Sequence, residues 1–576
     1  LLADTDHLNR MIGLPAVEYG VPRDLVRRAR ARFFGVPATW EEFPFEWIRE
    51  RGYAVRRDFG TGPVKRFVGG VELEPDGGGT RVRVFAELTP RNVLTRPLLR
   101  FVAAPGLRRT LAYCDRYLAE RADPLAPPKP AAPGRVDRNA LDRTLSALGR
   151  APVDPALVLR LEALVLRGSD DQLVRIRAYA LADEWGADRY QVLRLFFHAT
   201  RAGLFDLRWE LMCPACRVPK GEAASLGELP SRFHCETCRI DYEVDFDERV
   251  ELRFTLRPTI REAEDAVYCV GSPMRSPHIV VQQYLAPGEA RAIAVPSEGP
   301  LALRAVGGAD GVPLVSSGVF AWSGEVWLGT GRAPAADGDD LALRIENRGP
   351  RPLLAVVERR APDSRAATAA EVTLLQEFRD LFGAEVLAPG QEVGVATVAV
   401  LFTDLQGSTA LYEGRGDAPA YGRVRRHFDY LRDRVVAGEG AVIKTIGDAI
   451  MAAFPTPENA LRAALAIQEG FAAWCRAEGI VPPMVLRIGL HSGPAVAINA
   501  NERLDYFGRT VNLAARIQRQ AHGGEIALVA ALWDEPAIRA LAHEKGALAE
   551  RFEALLPGIE GAVELVRLWL PGPEAA

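Results

Sequence analysis

The sequence predicts a multidomain α+β protein. Three observations carry this. The 576 residues exceed one core at about 150 residues per domain. Four of the seven cysteines fall into two Cys-x2-Cys pairs. Residues 391–573 run strand, helix, two strands, helix, strand, the order of a ferredoxin-like sheet, here expected with its helices on one face. Hydrophobic content of 48% and charged content of 25% describe a globular chain. The net charge of −4 gives no bulk attraction to nucleic acid or anionic membranes. Apolar runs such as "VGVATVAVLF" reach about half of the ~20 residues that span a bilayer, so no membrane span is expected. Cys114, Cys269 and Cys475 stand alone, unlike a secreted disulfide framework, and the chain reads as cytoplasmic.

Residues 1–125 read as mixed α/β. "DLVRRARARFFG" is expected to be helical, and "VKRFVGGVELEPDGGGTRVRVFAELTP" a hairpin with a Gly-rich turn. "LRRTLAYCDRYLAE" places Leu111, Cys114 and Leu118 at helical spacing. With Trp40, the "GGGT" hairpin and a long closing helix, this order resembles the SRPBCC helix-grip (START-like) superfamily. That resemblance implies a sheet wrapped around a helix and an apolar cavity for an unknown hydrophobic ligand. A plain interaction domain is the competing reading. The chain opens at Leu1 within an ongoing element, so its natural start is expected to lie upstream.

Residues 126–137 belong to a Pro/Ala linker, stiff and extended. Residues 138–207 read as a helical, winged-helix-like module: helix, tight turn, helix, strand. Arg189 and Arg194 could there face a phosphate backbone, but charge balance and clustering favour helical packing over DNA binding.

Residues 208–250 hold Cys213, Cys216, Cys235 and Cys238. Two tight turns can aim four thiolates at one ion, closing a tetrahedral Zn²⁺ shell with no open position, hence a structural zinc ribbon. His234 is superfluous as a ligand, and a redox dithiol is the alternative. In residues 251–362, short apolar runs between Pro/Gly turns suggest an antiparallel β-sandwich. Residues 365–390 contain a connecting helix with Leu374, Leu375, Phe378, Leu381 and Phe382 on one face.

Within residues 391–573, "VGVATVAVLFTDL" reads as a buried strand ending at Asp404. "AVIKTIGDAIMAAF" reads as two strands joined at Gly447 and Asp448. "MVLRIGLHSGPAVAI" reads as a strand followed by a turn, and "RTVNLAARIQRQA" as a helix. Two acids converging at one sheet end repel unless a cation lies between them, and hard oxygen ligands suit Mg²⁺ or Mn²⁺. Gly407, Ser408 and Thr409 open a helix whose free N–H groups favour an anion, so metal plus helix start reads as a triphosphate cradle.

"FTDLQGST", "IKTIGDAIMAAF", "RIGLHSG" and "LDYFGRTVNLAARI" together resemble the class III nucleotidyl cyclase catalytic domain. The zinc ribbon and sandwich before it resemble a domain of unknown function found upstream of bacterial cyclases of this class. The resemblance implies that Asp404 and Asp448 hold two metal ions, that Lys444 and Asp505 read the base, that Asn512 positions the ribose and that Arg516 stabilises the phosphorane. It also implies a homodimer, each site taking its metal acids from one chain and the rest from the other. An ammonium can donate to adenine N1 and a carboxylate accept from its 6-amino group; guanine reverses both polarities, so this pair implies an adenylate cyclase acting on ATP. One departure is Pro557, which stands where many relatives carry a triphosphate-contacting Lys; Arg503 or Arg509 could substitute. The alternatives are a catalytically weak nucleotide-sensing or dimerisation module, and a guanylate cyclase.

Overall fold

The computed structural model describes residues 2–571 apart from 24, 34, 121–134, 237, 239, 248, 297–298, 308–310, 332–339, 360–364, 407–416, 481–482 and 560. The expected linker 126–137 lies mostly outside the described residues, as do Gly407, Ser408 and Thr409. No helix among the described residues is long and apolar enough to cross a membrane.

After helix α1 (Thr5–Met11), the N-terminal part is built on strands β1 (Glu18–Tyr19), β2 (Arg27–Phe33), β3 (Val36–Glu42), β4 (Glu46–Ile48), β5 (Gly52–Phe59), β6 (Val64–Asp76) and β7 (Gly79–Pro90), followed by helix α2 (Leu99–Glu120). Strand β2 corrects the helix expected there. Ala29 and Ala31 are buried while Arg28, Arg30 and Arg32 are exposed, a period of two that only a strand satisfies. The β6–β7 hairpin is as expected, its turn made by Gly77 and Gly78 at positive φ. Leu111 on α2 is exposed, and Tyr113 instead packs against Leu8 and Ile12 of the first helix segment.

Four helices follow: α3 (Arg138–Leu148), α4 (Pro155–Arg167), α5 (Ala178–Trp185) and α6 (Arg189–Arg201). Asp137, Asp154 and Asp188 each cap a helix start with the side chain. Gly186 takes the left-handed conformation that ends α5. Strands β8 (Phe205–Met212), β9 (Pro219–Ala223), β10 (Arg232–Cys235), β11 (Ile240–Glu243) and β12 (Val250–Leu256) come next. Residues of β12, expected to open the sandwich, pair with β8 throughout and belong to the sheet under the helices. There Phe254 stacks on Phe196, and Phe205 lies tilted against Phe196, in one core. Arg189 is paired with Asp183, and Arg194 with Glu377, so both are engaged within the protein.

The sandwich is made by β13 (Ile279–Leu285), β14 (Ala290–Val295), β15 (Leu301–Ala305), β16 (Val312–Leu314), β17 (Gly318–Trp322), β18 (Trp327–Gly331), β19 (Leu341–Asn347) and β20 (Leu353–Arg359). One layer, β14-β19-β17-β18, contains a parallel pair, β17 with β19, where antiparallel pairing was expected. The other layer is continuous with the N-terminal sheet, because β4 pairs with β13.

The connecting helix is two short helices, α7 (Ala369–Val372) and α8 (Gln376–Leu381), broken at Leu375, whose backbone is extended. The break turns Leu374, Leu375 and Phe378 into the core shared with α6 and β8.

The last region contains β21 (Glu392–Gln406), α9 (Asp417–Ala437), β22 (Ala441–Ile446), β23 (Ala449–Phe454), α10 (Pro457–Ala477), β24 (Val485–Ala500), β25 (Arg503–Phe507), α11 (Arg509–Gln518), β26 (Glu525–Val529), α12 (Ala530–Trp533), α13 (Pro536–Glu544), β27 (Leu548–Leu555) and β28 (Ala562–Trp569). Its sheet runs β22-β23-β21-β24-β26-β28-β27, with β25 added to β24. Helices α9, α10 and α13 cover one face, where Ala399 and Leu401 point. Helix α11 lies on the other face with Val398 and Val400, which corrects the expectation of helices on one side only. Gly489 and Gly493 of β24 make room for it: a Cβ on Gly489 would stand 2.3 Å from the Gln518 backbone, and one on Gly493 2.9 Å from Thr510 Oγ1. Strand β24 also runs straight through "HSGP", where a turn was expected. Pro494 lacks an N–H, but β21 has a register shift between Val395 and Val398 opposite it, which absorbs the missing bond.

Candidate active site

Asp404 stands near the end of β21 in register with Arg487 of β24. Arg487 Nε donates to Asp404 Oδ2 at 2.7 Å, and a second guanidinium nitrogen reaches the same oxygen. Asp448 sits in the β22–β23 turn, which Gly447 makes possible with φ of 65°. Pairing of Phe402 with Met451 and the 3.1 Å bond from Ile450 N–H to Thr403 Oγ1 bring that turn beside the end of β21. Both acids therefore occupy one end of the sheet. Asp448 Oδ2 is buried and has no hydrogen-bond partner among the described residues. A buried carboxylate oxygen without a donor is costly unless a cation answers it, so the donor set fits a hard divalent ion.

Lys444 of β22 and Asp505 of β25 meet, Nζ to Oδ2, at 2.5 Å. A register shift between Val442 and Lys444 leaves Ile443 as the extra residue and sets the lysine opposite Met451. The Asp505 side chain is 12% exposed and that of Lys444 39%, so the pair is reached from solvent on the lysine side. The other Asp505 oxygen accepts the Tyr506 N–H at 2.8 Å.

Asn512 and Arg516 lie one turn apart on α11. With Phe507, Arg509, Leu513 and Gly558 they line an open cleft of about 550 Å³. Asp404, Asp448, Lys444 and Asp505 do not line this cleft. Pro557 is exposed in the turn beside Gly558, and a Cβ on Gly558 would stand 3.3 Å from an Arg516 guanidinium nitrogen. Beneath α11, burial first and then the Arg509 charge push the His491 imidazole down to about 4. Arg487 was missed by sequence reasoning. It stands in "RIGL", directly across the sheet from Asp404, where opposite charges pair, and only the strand register reveals it.

In residues 208–250, the sulfurs of Cys213, Cys216, Cys235 and Cys238 all lie within 4.8 Å of one another. Four thiolates around a tetrahedral zinc at ~2.3 Å stand about 3.8 Å apart, so the cluster fits such an ion after slight contraction. Hydrogen bonding among the thiols pulls Cys213 and Cys235 down and pushes Cys216 and Cys238 up. His234 points instead at Asp241, 2.9 Å away, and stays half exposed.

The family model for the adenylate and guanylate cyclase catalytic domain matches residues 391–558. These residues form a cyclase catalytic domain. A second model, a family of unknown function (DUF5939), matches residues 139–267. Adenylate cyclase 1 of Rhizobium meliloti is 35% identical over 135 residues, 21% of this chain and 20% of that protein. Adenylate cyclase of Lachancea kluyveri is 35% identical over 150 residues, 23% of this chain and 8% of that protein. An uncharacterised protein of Mycobacterium tuberculosis is 35% identical over 155 residues, 27% of this chain and 38% of that protein. The chain thus spans about a fifth or less of the first two curated relatives. Among solved structures, the adenylyl cyclase CyaB of P. aeruginosa is similar over 32% of this chain and all of that chain, at 20% identity and a TM-score of 0.27. The cyclase match contains all six residues singled out above.

Proposed function

We propose that the chain is an adenylate cyclase that converts ATP to 3′,5′-cyclic AMP and pyrophosphate in a homodimer. The observation that carries this reading is the Lys444–Asp505 pair. One partner donates and the other accepts, the polarity adenine needs and guanine reverses. The names of the relatives, adenylate cyclases of bacteria and fungi, support it.

Asp404 and Asp448 would hold two divalent cations, which supply activation of the ribose 3′-hydroxyl and charge neutralisation at the triphosphate. Lys444 and Asp505 would open around the base and fix its rotation. Asn512 would hold the ribose so that the 3′-oxygen faces the α-phosphorus. As that bond forms and the bond to pyrophosphate breaks, Arg516 would answer the charge on the equatorial oxygens with a fixed guanidinium. Arg487 holds the Asp404 carboxylate and would have to share it with the cations. Gly407, Ser408 and Thr409, outside the described residues, remain proposed as phosphate-binding residues.

The separation of the Asn512–Arg516 cleft from the two acids supports a site completed by a second chain. Residues 1–125 and the zinc-bearing region would then be regulatory or scaffolding. The helix-grip reading and its hydrophobic ligand rest on element order, and a cytoplasmic location on the substrate, ATP.

The deciding experiment is turnover of ATP and GTP by the purified chain with Mn²⁺. Cyclic AMP formed by wild type but not by Asp448→Ala supports the reading. Equally little product from both sinks it and leaves the nucleotide-sensing module, which Pro557 favours by removing a triphosphate contact. Preference for GTP would establish the guanylate alternative.

A further inference from the structure

We propose that Gln376 and Arg379 of α8 are positioning residues for the base-reading pair and set the preference for adenine. The inference rests on the cyclase reading of Lys444 and Asp505 and goes beyond it to residues outside the cyclase match, which begins at residue 391.

The geometry is specific on both sides of the pair. Gln376 Oε1 accepts the N–H of Val442 at 2.8 Å. Val442 is the last regular residue before the register shift that aims Lys444. A bulge persists only where its surroundings hold it, and here one side chain holds its entrance. Arg379 donates to the carbonyl of Leu504, the residue before Asp505, and at 3.0 Å to the carbonyl of Thr373. The Thr373 hydroxyl in turn shares a 3.1 Å bond with the hydroxyl of Tyr506, the residue after Asp505. Thus one short helix ties both strands that carry the pair, and its ties land within two residues of Lys444 and within one of Asp505.

Helix α8 is itself fixed from the opposite side. Glu377 accepts from Arg194 at 2.9 Å, from His198 at 2.7 Å and from Tyr190 at 3.4 Å, all on α6. Phe378 packs on Phe197 and Trp209. A helix held on two sides by charged and aromatic contacts is a rigid spacer. The spacing between β22 and β25 at the pair therefore depends on residues that need not touch nucleotide.

The test is steady-state kinetics of the full chain with ATP and with GTP, for wild type, Arg379→Ala, Arg379→Lys and Gln376→Leu. Removing either tie lets the pair drift, so we expect KM for ATP to rise about tenfold, with a smaller change in kcat. The ratio of kcat/KM for ATP over GTP should fall by a similar factor. Arg379→Lys keeps a donor for one carbonyl and should recover part of that ratio. Melting temperature and zinc content of each variant identify a folding defect, in which case Arg379→Lys and Gln376→Leu carry the test. If kcat/KM for ATP and GTP falls by one common factor in these variants, or does not move, the proposal is overturned. If wild type makes no cyclic nucleotide at all, the cyclase reading fails separately. Titration of non-hydrolysable ATP and GTP analogues into the same proteins then decides the positioning role: a preference for the ATP analogue that the variants lose supports it, and no preference in wild type overturns it.

Discussion

The Lys444 ammonium and the Asp505 carboxylate lie 2.5 Å apart across the gap between β22 and β25. Each satisfies the other while no base is present. On the proposed reading, a base that enters replaces both halves of that interaction with its own donor and acceptor. Only one that offers an acceptor and a donor in the right order does so without leaving a charge unpaired.

Lys444→Met should therefore lower kcat/KM for ATP by about 10²-fold and leave GTP turnover little changed. The double variant Lys444→Glu with Asp505→Cys should invert the preference toward GTP. Competition between the two nucleotides, with product separated by chromatography, reads both outcomes.

Asp448 gives a prediction with two readouts. Its buried oxygen, without a partner among the described residues, costs stability when no cation is present. Asp448→Asn should lower cyclic AMP formation by about 10²–10³-fold, yet melt no lower than wild type in chelator. Mn²⁺ should raise the melting temperature of wild type and not that of the variant. A variant that melts well below wild type in chelator would mean that Asp448 holds the turn together instead.

The four cysteines predict one zinc ion per chain by metal analysis. Chelation, or Cys235→Ser, should expose the β10–β11 hairpin to protease while the cyclase domain melts as before. Undiminished protease resistance without metal would argue for a dithiol role.

Gly489 tests how closely α11 must approach the sheet. A Cβ there meets the Gln518 backbone, which cannot step aside. Gly489→Ala should cost about 1–3 kcal/mol by overpacking and, by displacing Asn512 and Arg516, lower kcat more than it raises KM. Chemical denaturation and kinetics on the same sample separate the two effects.

His7 and Asp171 predict a pH dependence of stability. Burial opposes the His7 charge, but the hydrogen bond and charge of Asp171, 2.6 Å away, outweigh it and raise the imidazole above its ordinary 6.5. For a raised group the added stability is complete below 6.5 and is lost as pH rises through the folded value. Burial likewise opposes the Asp171 charge, yet His7 holds its carboxyl below 3.8, so that contribution is lost as pH falls instead. Melting temperature should therefore decline from about pH 6.5 upward, and His7→Gln should flatten that decline.

Much of this was legible in the chain. The two Cys-x2-Cys pairs, the Gly447–Asp448 turn and the helix carrying Asn512 and Arg516 each depend on local chemistry that short spacings record. What was hidden depended on partners far away in sequence. "RRARARF" has good helix formers, so its period-two burial was overlooked until Ala29 and Ala31 met their neighbours. "HSGP" has turn residues, and the strand survives there only because β21 shifts register opposite Pro494. Arg487 is 83 residues from Asp404, and no local pattern announces such a pair. The side of the sheet taken by α11 was set by Gly489 and Gly493, whose message is space rather than chemistry.

The pairing of β4 with β13 also constrains how the chain can be made. Ile48 meets Val281, so the N-terminal sheet cannot close until more than two hundred further residues have been synthesised. At ~5–20 residues per second that interval is about 10–50 s. During it the edge of β4 waits beside the ribosome with its backbone groups open. The strand is only three residues long, a small template for stray pairing, and that brevity guards the nascent chain until its true neighbour emerges.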